Sequence, residues 1–145
     1  MPHIRDVRES DYDGWLKLWI ANNKGQCDDN VTAETWKRLN HHLYPVHGLI
    51  AEEDGAIIGL VHYILHPVTG HIQPVCYMQD VFVDEDHRKQ GVGTALVEHL
   101  STIGKREEWA RLYWLVENDN KEAHALYAHL GLKLNFSLFV QPLRN

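Results

Sequence analysis

The spacing of apolar and polar residues along the chain predicts alternating strands and helices. After a short first strand, HIRDV, apolar residues recur at helical spacing at Trp15, Leu18 and Trp19. Ser10, with an acidic residue three positions later, resembles a capping box. The start of the chain is therefore predicted to form a strand and then a helix that begins near Ser10 and runs through Asn22.

A second helix and a hairpin are predicted next. The helix follows the polar segment NKGQCDDN; Thr32 is expected to cap it, and its apolar positions are Trp36, Leu39 and Leu43. In GLIAEEDGAIIGLVHYIL, the residues Glu-Asp-Gly separate two runs rich in β-branched and aliphatic side chains, which predicts a β-hairpin.

The half of the chain from Cys76 onward alternates strand and helix. PVCYMQDVFV and RLYWLV predict strands, a helix is expected from about Val92 to Lys105, and NKEAHALYAHL predicts another helix. LKLNFSLFVQPL is expected to be a last strand region. This order favours the α/β or α+β class, with a mixed sheet flanked by helices in one domain spanning residues 1–145.

Composition limits the partners. The 145 residues are 44% hydrophobic and 23% charged, as in ordinary globular proteins. A formal net charge of −6 argues against a nucleic-acid partner. The polar opening MPHIRD argues against a secretory signal, and the longest apolar stretch, AIIGLVHYIL, is too short to span a membrane. We therefore expect a cytoplasmic protein that binds neither nucleic acid nor membranes.

The cysteines and histidines do not predict a metal site. Cys27 and Cys76 are too few for a disulfide framework and lack metal-ligand spacing. His62 and His66 share one face of a strand but would stand about 13 Å apart. We expect no metal, and we expect the tryptophans of the first two helices to lie in the core.

The segment HRKQGVG places two cations and two glycines at the start of a predicted helix. Free N–H groups and the helix dipole make such a start a site for anions, and Gly91 and Gly93 would let a phosphate approach the backbone. Arg88 and Lys89 add positive charge. By spacing alone, an equally good interpretation is that the glycines only turn the chain. No P-loop sequence is present, and a dinucleotide fingerprint is disfavoured because Leu96 replaces its third glycine.

RKQGVG resembles the R/Q-x-x-G-x-G/A motif of the GNAT superfamily of N-acetyltransferases. MQDVFVDEDHRKQGVGTALVEHL resembles the whole strand–loop–helix unit that carries this motif. In the next unit, LYWLVENDNKEAHALYAHLGL, the family pattern N-x-x-A-x-x-x-Y falls on Asn120, Ala123 and Tyr127. The chain looks most similar to the small polyamine, histone and D-amino-acid acetyltransferases. The resemblance implies a GNAT fold, with a twisted, mostly antiparallel mixed sheet and a splayed parallel strand pair. It also implies acetyl-CoA as co-substrate and a homodimer.

The resemblance also implies how individual residues would hold acetyl-CoA. Free backbone groups of Val81 and Val83 would pair with the pantetheine arm, and the loop after this strand would bind the pyrophosphate. Asn120 would lie along the arm and could equally be only a helix N-cap. The implied set is Val81, Phe82, Val83, Arg88, Lys89, Gln90, Gly91, Val92, Gly93, Thr94, Asn120, Ala123 and Tyr127.

Tyr127 is the candidate general acid. A thiol titrates near 8.5 and a tyrosine near 10, so a tyrosine hydroxyl is protonated at neutral pH and can protonate or hydrogen-bond the departing thiolate. Without the resemblance, an apolar helical stripe of Leu126, Tyr127 and Leu130 would be the preferred interpretation of this segment.

The catalytic base is less defined by the sequence. A lysine-like amine must lose a proton before it attacks, which costs roughly 4.6 kcal/mol at pH 7. Amine-acetylating relatives often have a glutamate at the place of Gln79, whose amide cannot accept a proton. Asp80 is adjacent, but strand alternation turns it to the opposite face unless a bulge intervenes. Proton transfer through water to Asp80, Glu117 or a histidine, or directly to solvent, is left open.

The acceptor is expected to be a small cation. The loop NKGQCDDN borders the acceptor site in the family that the chain resembles, and Asp28 and Asp29 would attract a cationic amine unless they are merely solvated. We expect an acetyl-CoA-dependent N-acetyltransferase that works by direct attack of a primary amine in a ternary complex. The alternatives are acetylation of protein lysine or N-terminal amines, a non-catalytic acyl-CoA-binding or sensory module, and a structural domain.

Overall fold

The computed structural model describes residues 2–144, in two units that divide after Leu115. The strands are β1 (His3–Asp6), β2 (Val46–Glu53), β3 (Ala56–His66), β4 (Val75–Val83) and β5 (Arg111–Tyr113). The helices are α1 (Tyr12–Asn22), α2 (Asp29–Leu39), α3 (Val92–Glu107) and α4 (Lys121–Tyr127). The sheet and α1–α3 belong to the first unit, and α4 belongs to the second.

The five strands form one sheet in the order β1-β2-β3-β4-β5. Neighbouring strands from β1 to β4 are antiparallel, whereas β4 and β5 are parallel. The parallel ladder runs from the pair Val75–Arg111 to the pair Tyr77–Tyr113, and β4 continues to Val83 along β3. The expected mixed, mostly antiparallel sheet with one parallel pair is confirmed.

Helices cover both faces of this sheet. Trp15 and Leu18 of α1 and Leu39 of α2 are buried against Leu60 of β3, with Trp19 and Trp36 packed around them. A side chain added at the neighbouring Gly59 would meet Leu96 and Val92 of α3. Since adjacent residues of a strand face opposite sides, α1 and α2 cover one face and α3 the other. The tryptophans of α1 and α2 therefore lie in the core, as expected.

The prediction that Ser10 forms a capping box at the start of α1 is wrong, because the helix begins at Tyr12 and its N-cap is Asp11. A 3₁₀ turn at Glu9–Asp11 precedes the helix, and the N-cap is Asp11. The buried carboxylate of Asp11 accepts the Arg8 N–H at 2.9 Å and two hydrogen bonds from the Arg5 guanidinium at 2.8 and 2.9 Å. The hydrogen bonds from Arg5 lower the pKa of Asp11.

The prediction that Thr32 caps α2 is also wrong. The N-cap is Asp28, and Thr32 lies inside the helix, where its Oγ1 accepts a hydrogen bond from Trp19 Nε1 at 2.8 Å. Asp and Thr are both good caps, so side-chain preference alone did not identify Asp28 as the N-cap. The helix also ends at Leu39, and Leu43 beyond it is 76% exposed.

The expected last strand is not formed. Residues 132–144 contain neither helix nor strand, and β5 ends at Tyr113 rather than at Val116. Alternating apolar residues favour a strand when one face can be buried, and here the apolar side chains are exposed. These side chains are Leu132, Leu134, Phe136, Leu138, Phe139, Val140 and Leu143.

Candidate active site

The far half of β4 presents backbone groups to an edge that β5 does not cover. The Asp84 N–H donates to Ile58 O of the β3 side at 2.8 Å. Successive residues of a strand direct their backbone groups to alternate edges, so Val83 and Val81 direct theirs away from β3. The Phe82 backbone faces β3 instead, and its side chain packs against the core of α1 and α2.

The loop after β4 is fixed to the end of that strand. His87 Nδ1 lies 2.9 Å from Asp84 Oδ2. Arg88 Nε donates to the Val83 carbonyl at 3.1 Å, and its guanidinium carbon lies 5.2 Å from the Phe82 ring centroid. Arg88 is nevertheless exposed. Its remaining N–H donors therefore lie close to the open edge of β4.

The loop ends in backbone conformations that open the start of α3. Lys89 and Gly91 have φ of 64° and 83°, in the left-handed region, and Gly91 is the N-cap of α3. No side chain caps this helix, so its first N–H groups have no cap partner. A Cβ on Gly91 would meet no atom within 4 Å. The start of α3 thus combines helix-end donors with open space, the features that an anion requires.

The other predicted residues of this segment surround the same helix start. Lys89 and Gln90 are exposed, whereas the Val92 side chain is buried, so only its backbone faces the helix start. Gly93 and Thr94 follow in the first turn of α3. Arg88 through Thr94 therefore form one continuous, cationic surface at a helix N-terminus.

A β-bulge in β4 resolves the direction of Asp80. His62 pairs with Asp80 and Tyr63 pairs with Met78, so Gln79 is an extra residue with no partner on β3. The bulge reverses the alternation that would otherwise turn Asp80 away. Gln79 is exposed, and the Asp80 side chain, 25% exposed, lies on the α1 face of the sheet.

Asp80 belongs to a chain of hydrogen bonds that the sequence did not reveal. Trp15 Nε1 donates to His62 Nε2 at 3.0 Å, and His62 Nδ1 lies 2.9 Å from Asp80 Oδ2. Asn22 Nδ2 donates to Asp80 Oδ1 at 3.4 Å. These residues come from α1, β3 and β4, so no linear motif joins them. The sequence signal for this cluster is a lone histidine in the apolar run AIIGLVHYIL, which does not show which residues His62 contacts.

The predicted acceptor loop begins next to this cluster. Asn22 is the last residue of α1, so the connection to α2 starts beside the Asp80 carboxylate. At its other end, Asp28 Oδ1 accepts the N–H groups of Asn30 at 2.8 Å and Val31 at 3.2 Å. Asp28 and Asp29 are both exposed. Asp28 therefore has a structural role as a cap, which leaves its negative charge accessible to solvent.

The second unit carries the remaining predicted residues on α4. Asn120 is the N-cap, and its Oδ1 accepts the Ala123 N–H at 3.1 Å. Tyr127 ends the helix, and its carbonyl accepts the Gly131 N–H at 3.1 Å. Burial raises the pKa of the Tyr127 hydroxyl above its usual value.

Two clefts away from β4 contain none of the predicted residues, and the larger of these two, of about 430 Å³, is lined by Glu9, Trp36 and Asn40. Within residues 2–144, no group of three or more His, Cys, Asp or Glu side chains could hold a metal ion. A cleft of about 300 Å³ beside Asp6, His41 and His47 contains none of the predicted residues. Nor does any helix in this range have the length and apolar character to cross a membrane.

The sequence model of the Acetyltransferase (GNAT) family matches residues 5–132. The chain belongs to this family. It is an acetyltransferase, as the RKQGVG motif predicted.

Two relatives resemble it over most of its length. The D-amino-acid N-acetyltransferase HPA3 of Saccharomyces cerevisiae is 28% identical over 141 residues, which cover 94% of this chain and 88% of that protein. An uncharacterized N-acetyltransferase of Methanocaldococcus jannaschii, MJ1207, is 24% identical over 135 residues, covering 90% of this chain and 60% of that protein.

Solved structures confirm the GNAT fold. AAC(6')-Iy in complex with the bisubstrate analog CoA-S-monomethyl-acetylneamine superposes with a TM-score of 0.86 at 18% identity, covering 100% of this chain and 99% of that one. Ribosomal-protein-alanine N-acetyltransferase from Brucella melitensis superposes with a TM-score of 0.81 at 20% identity, and the match covers 97% of this chain and 99% of that one.

Proposed function

We propose that this enzyme transfers the acetyl group of acetyl-CoA to a primary amine of a small cationic acceptor. The observation that carries the proposal is the position of Asp80. Its carboxylate lies beside the start of the acceptor loop, on the strand whose open edge ends at the anion-accepting start of α3. One strand would thus align the two substrates.

The residues along β4 fit the chemistry of acetyl-CoA. Its pyrophosphate needs N–H donors and positive charge, which the first turn of α3, Arg88 and Lys89 supply. Its pantetheine arm carries amides, which the backbone groups of Val81 and Val83 match. The open space around Gly91 leaves room for a phosphate. By family resemblance, Asn120 and Ala123 on α4 would line the same arm.

Two side chains would move protons. Acetyl-CoA supplies a thioester whose carbonyl carbon the amine nitrogen attacks, so that a C–N bond forms and the C–S bond breaks. Asp80 accepts the proton that the ammonium group must lose. Tyr127 donates its hydroxyl proton to the departing thiolate, and the raised pKa of that hydroxyl keeps it protonated at neutral pH. Gln79, exposed at the bulge, contributes amide hydrogen bonds to the acceptor rather than proton transfer.

The acceptor preference rests on charge and on the relatives. Asp28 and Asp29 add negative charge to a chain whose formal net charge is −6, which favours a cationic amine. HPA3 is named for D-amino acids, and the analog bound to AAC(6')-Iy is built on acetylneamine. Both names support a small molecule. Brucella ribosomal-protein-alanine N-acetyltransferase favours a protein amine as the second candidate.

We also propose that residues 1–145 act as one catalytic domain and that this domain forms a homodimer. The family match across residues 5–132 supports the single domain. The exposed apolar side chains of residues 132–144 support the dimer, because exposed apolar patches often mark protein contacts. Sedimentation velocity of the full chain and of a chain ending at Leu132 tests it, and a monomeric full chain contradicts it.

A panel of amines tests the proposed activity. Release of free CoA thiol from acetyl-CoA would be measured with polyamines, lysine analogues, basic and neutral D- and L-amino acids, aminoglycosides and N-terminal peptides. We expect turnover with cationic small molecules. If acetyl-CoA raises the Tm without turnover, the chain is an acyl-CoA-binding module. If acetyl-CoA has neither effect, the cofactor proposal is wrong.

A further inference from the structure

We infer that His62 and Trp15 are positioning residues that hold Asp80 as the terminal proton acceptor of the active site. The inference rests on the proposed amine acetylation and adds two residues, on β3 and α1, to which neither the GNAT motif nor the resemblance assigns a role.

The hydrogen-bond partners determine which nitrogen of His62 carries the proton. An indole N–H can only donate, so His62 Nε2, 3.0 Å from Trp15 Nε1, must accept. A neutral imidazole then carries its single proton on Nδ1. That N–H donates to Asp80 Oδ2 at 2.9 Å. The chain of donors therefore runs in one direction, from Trp15 through His62 to Asp80.

The packing around Trp15 keeps this direction fixed. Trp15 is 1% exposed, and its ring stacks on Trp19, with centroids 5.4 Å apart and planes 14° apart. On another side the Trp36 ring centroid lies 4.7 Å away. His62 is itself 4% exposed. Neither ring has room to turn away, and a buried indole N–H needs the acceptor that His62 provides.

This arrangement decides where a proton from the acceptor amine can go. Asp80 Oδ2 accepts the His62 N–H at 2.9 Å, whereas Oδ1 has only a long hydrogen bond, 3.4 Å, from Asn22 Nδ2, so Oδ1 is the oxygen more available to accept the proton. The N–H bond of the ammonium group breaks, and an O–H bond forms on Oδ1. His62 cannot take the proton further, because the Nε2 lone pair is engaged by Trp15. The 25% exposure of Asp80 lets the proton leave to solvent after turnover.

Two substitutions of His62 separate positioning from structural support. In His62→Asn the amide nitrogen can occupy the place of Nδ1 and still donate to Asp80, but Trp15 loses its acceptor. In His62→Gln the amide oxygen can reach the place of Nε2 and accept from Trp15, but Asp80 loses its donor. We expect kcat to fall at least 10-fold in His62→Gln and less than 3-fold in His62→Asn, because small misplacements of a reacting group are costly.

The same pair should rank in the opposite order for stability. His62→Asn leaves a buried indole N–H without a partner, so its Tm should be the lower of the two. KM for acetyl-CoA should be unchanged in both variants, since the hydrogen bonds of Trp15, His62 and Asp80 do not involve the segment from Arg88 to Thr94. His47, on β2 and stacked on Tyr63 with ring centroids 5.1 Å apart, provides the control. His47→Asn and His47→Gln should have equal kcat.

A spectroscopic measurement tests the chain without any turnover. With ¹⁵N-labelled histidine at pH 7.5, the His62 ring should show a protonated Nδ1 and an unprotonated Nε2, identified by its loss in His62→Gln. A proton on Nε2 would overturn the inference, as would equal kcat in the two His62 variants or a kcat that follows Tm. If wild type turns over no amine, the proposed function fails, and the positioning role fails with it even where the ring spectrum shows that the chain is formed.

Discussion

The loop that leads into α3 and the cluster around Asp80 were assembled in different ways. The loop is a continuous segment, Arg88 to Thr94, whose glycines and cations are visible in the sequence. The Asp80 cluster joins Trp15, His62 and Asp80 from three elements, and the bulge at Gln79 brings it together. A proposed cofactor surface built on backbone N–H groups can be encoded locally, whereas a carboxylate held by a buried histidine and tryptophan needs long-range pairing.

This difference predicts that the two regions separate in kinetics. Changes at the loop before α3 should alter the affinity for acetyl-CoA, because in the proposed site this loop would bind the phosphates in both ground and transition states. Changes at the Asp80 cluster should lower kcat, because a proton acceptor acts only during reaction. Variants in each region can therefore test whether effects on acetyl-CoA affinity and effects on kcat are separate.

Tyr127 tests this separation most strongly, because it belongs to a continuous sequence motif but is expected to affect kcat and not acetyl-CoA affinity. Tyr127→Phe keeps the ring and removes the hydroxyl. We expect kcat to fall about 100-fold with little change in acetyl-CoA affinity, the usual size of a general-acid effect. Steady-state rates and calorimetric binding would measure this, with Tyr12→Phe as the control for loss of a hydroxyl on another helix. If Tyr127→Phe has the kcat of wild type, the Tyr127 hydroxyl is not the general acid and the side chain serves only in packing.

The pH dependence of the same reaction follows from burial. Burial raises the pKa of the Tyr127 hydroxyl above its usual value, and the proposed general acid would act in its protonated form. The acid therefore stays available as pH rises, and its loss should lower kcat only above about pH 10. A pH–rate profile in which a limb assigned to this tyrosine falls below pH 9 would contradict its role as acid.

Gly91→Val tests whether the start of α3 binds the phosphates of acetyl-CoA. The side chain would enter the open space given to the phosphate, so the Kd for acetyl-CoA should rise 10-fold or more while the fold survives. Gly55→Val is a matched control: its φ is 81° against 83° at Gly91, and a Cβ there also meets no atom within 4 Å. Both variants should lose at least about 1 kcal/mol of stability from the left-handed backbone. Equal acetyl-CoA affinity in the two would contradict the phosphate site.

The smallest effect is expected at the acceptor loop. Asp28→Asn with Asp29→Asn removes two charges and keeps a good N-cap. KM for a cationic amine should rise a few-fold with kcat nearly intact, and added salt should weaken binding more in wild type than in the variant. As a control, the double variant Glu53→Gln with Asp54→Asn, at the end of β2 and in the turn that follows it, removes two negative charges elsewhere. An unchanged KM, or a preferred acceptor that is neutral or anionic, would contradict a role of these aspartates in acceptor binding.

The elements that the sequence predicted well were those with local signals. The hairpin turn at Asp54 and Gly55 and the start of α3 at Val92 follow from glycine positions and periodicity. The start of α2 was predicted at Thr32 instead of Asp28, because both residue types are good caps.

The errors and omissions depend on contacts between distant segments. The bulge at Gln79 depends on pairing with His62 and Tyr63, which alternation within β4 cannot reveal. Residues 132–144 have strand-like alternation, but their side chains are exposed. The partner of an indole N–H, which defines the role of His62, is likewise invisible until the fold joins α1 to β3.

The most direct test compares Asp80→Asn with wild type in two measurements on the same preparations: kcat with the best amine and the Kd for acetyl-CoA. Asparagine keeps an oxygen that can accept the His62 N–H but cannot take up a proton. If Asp80 is the proton acceptor, we expect kcat of Asp80→Asn to be at least 100-fold lower than that of wild type, the scale of general-base catalysis, and the Kd for acetyl-CoA to stay within about 2-fold. An unchanged kcat, or a loss of acetyl-CoA affinity as large as the loss of rate, would contradict it.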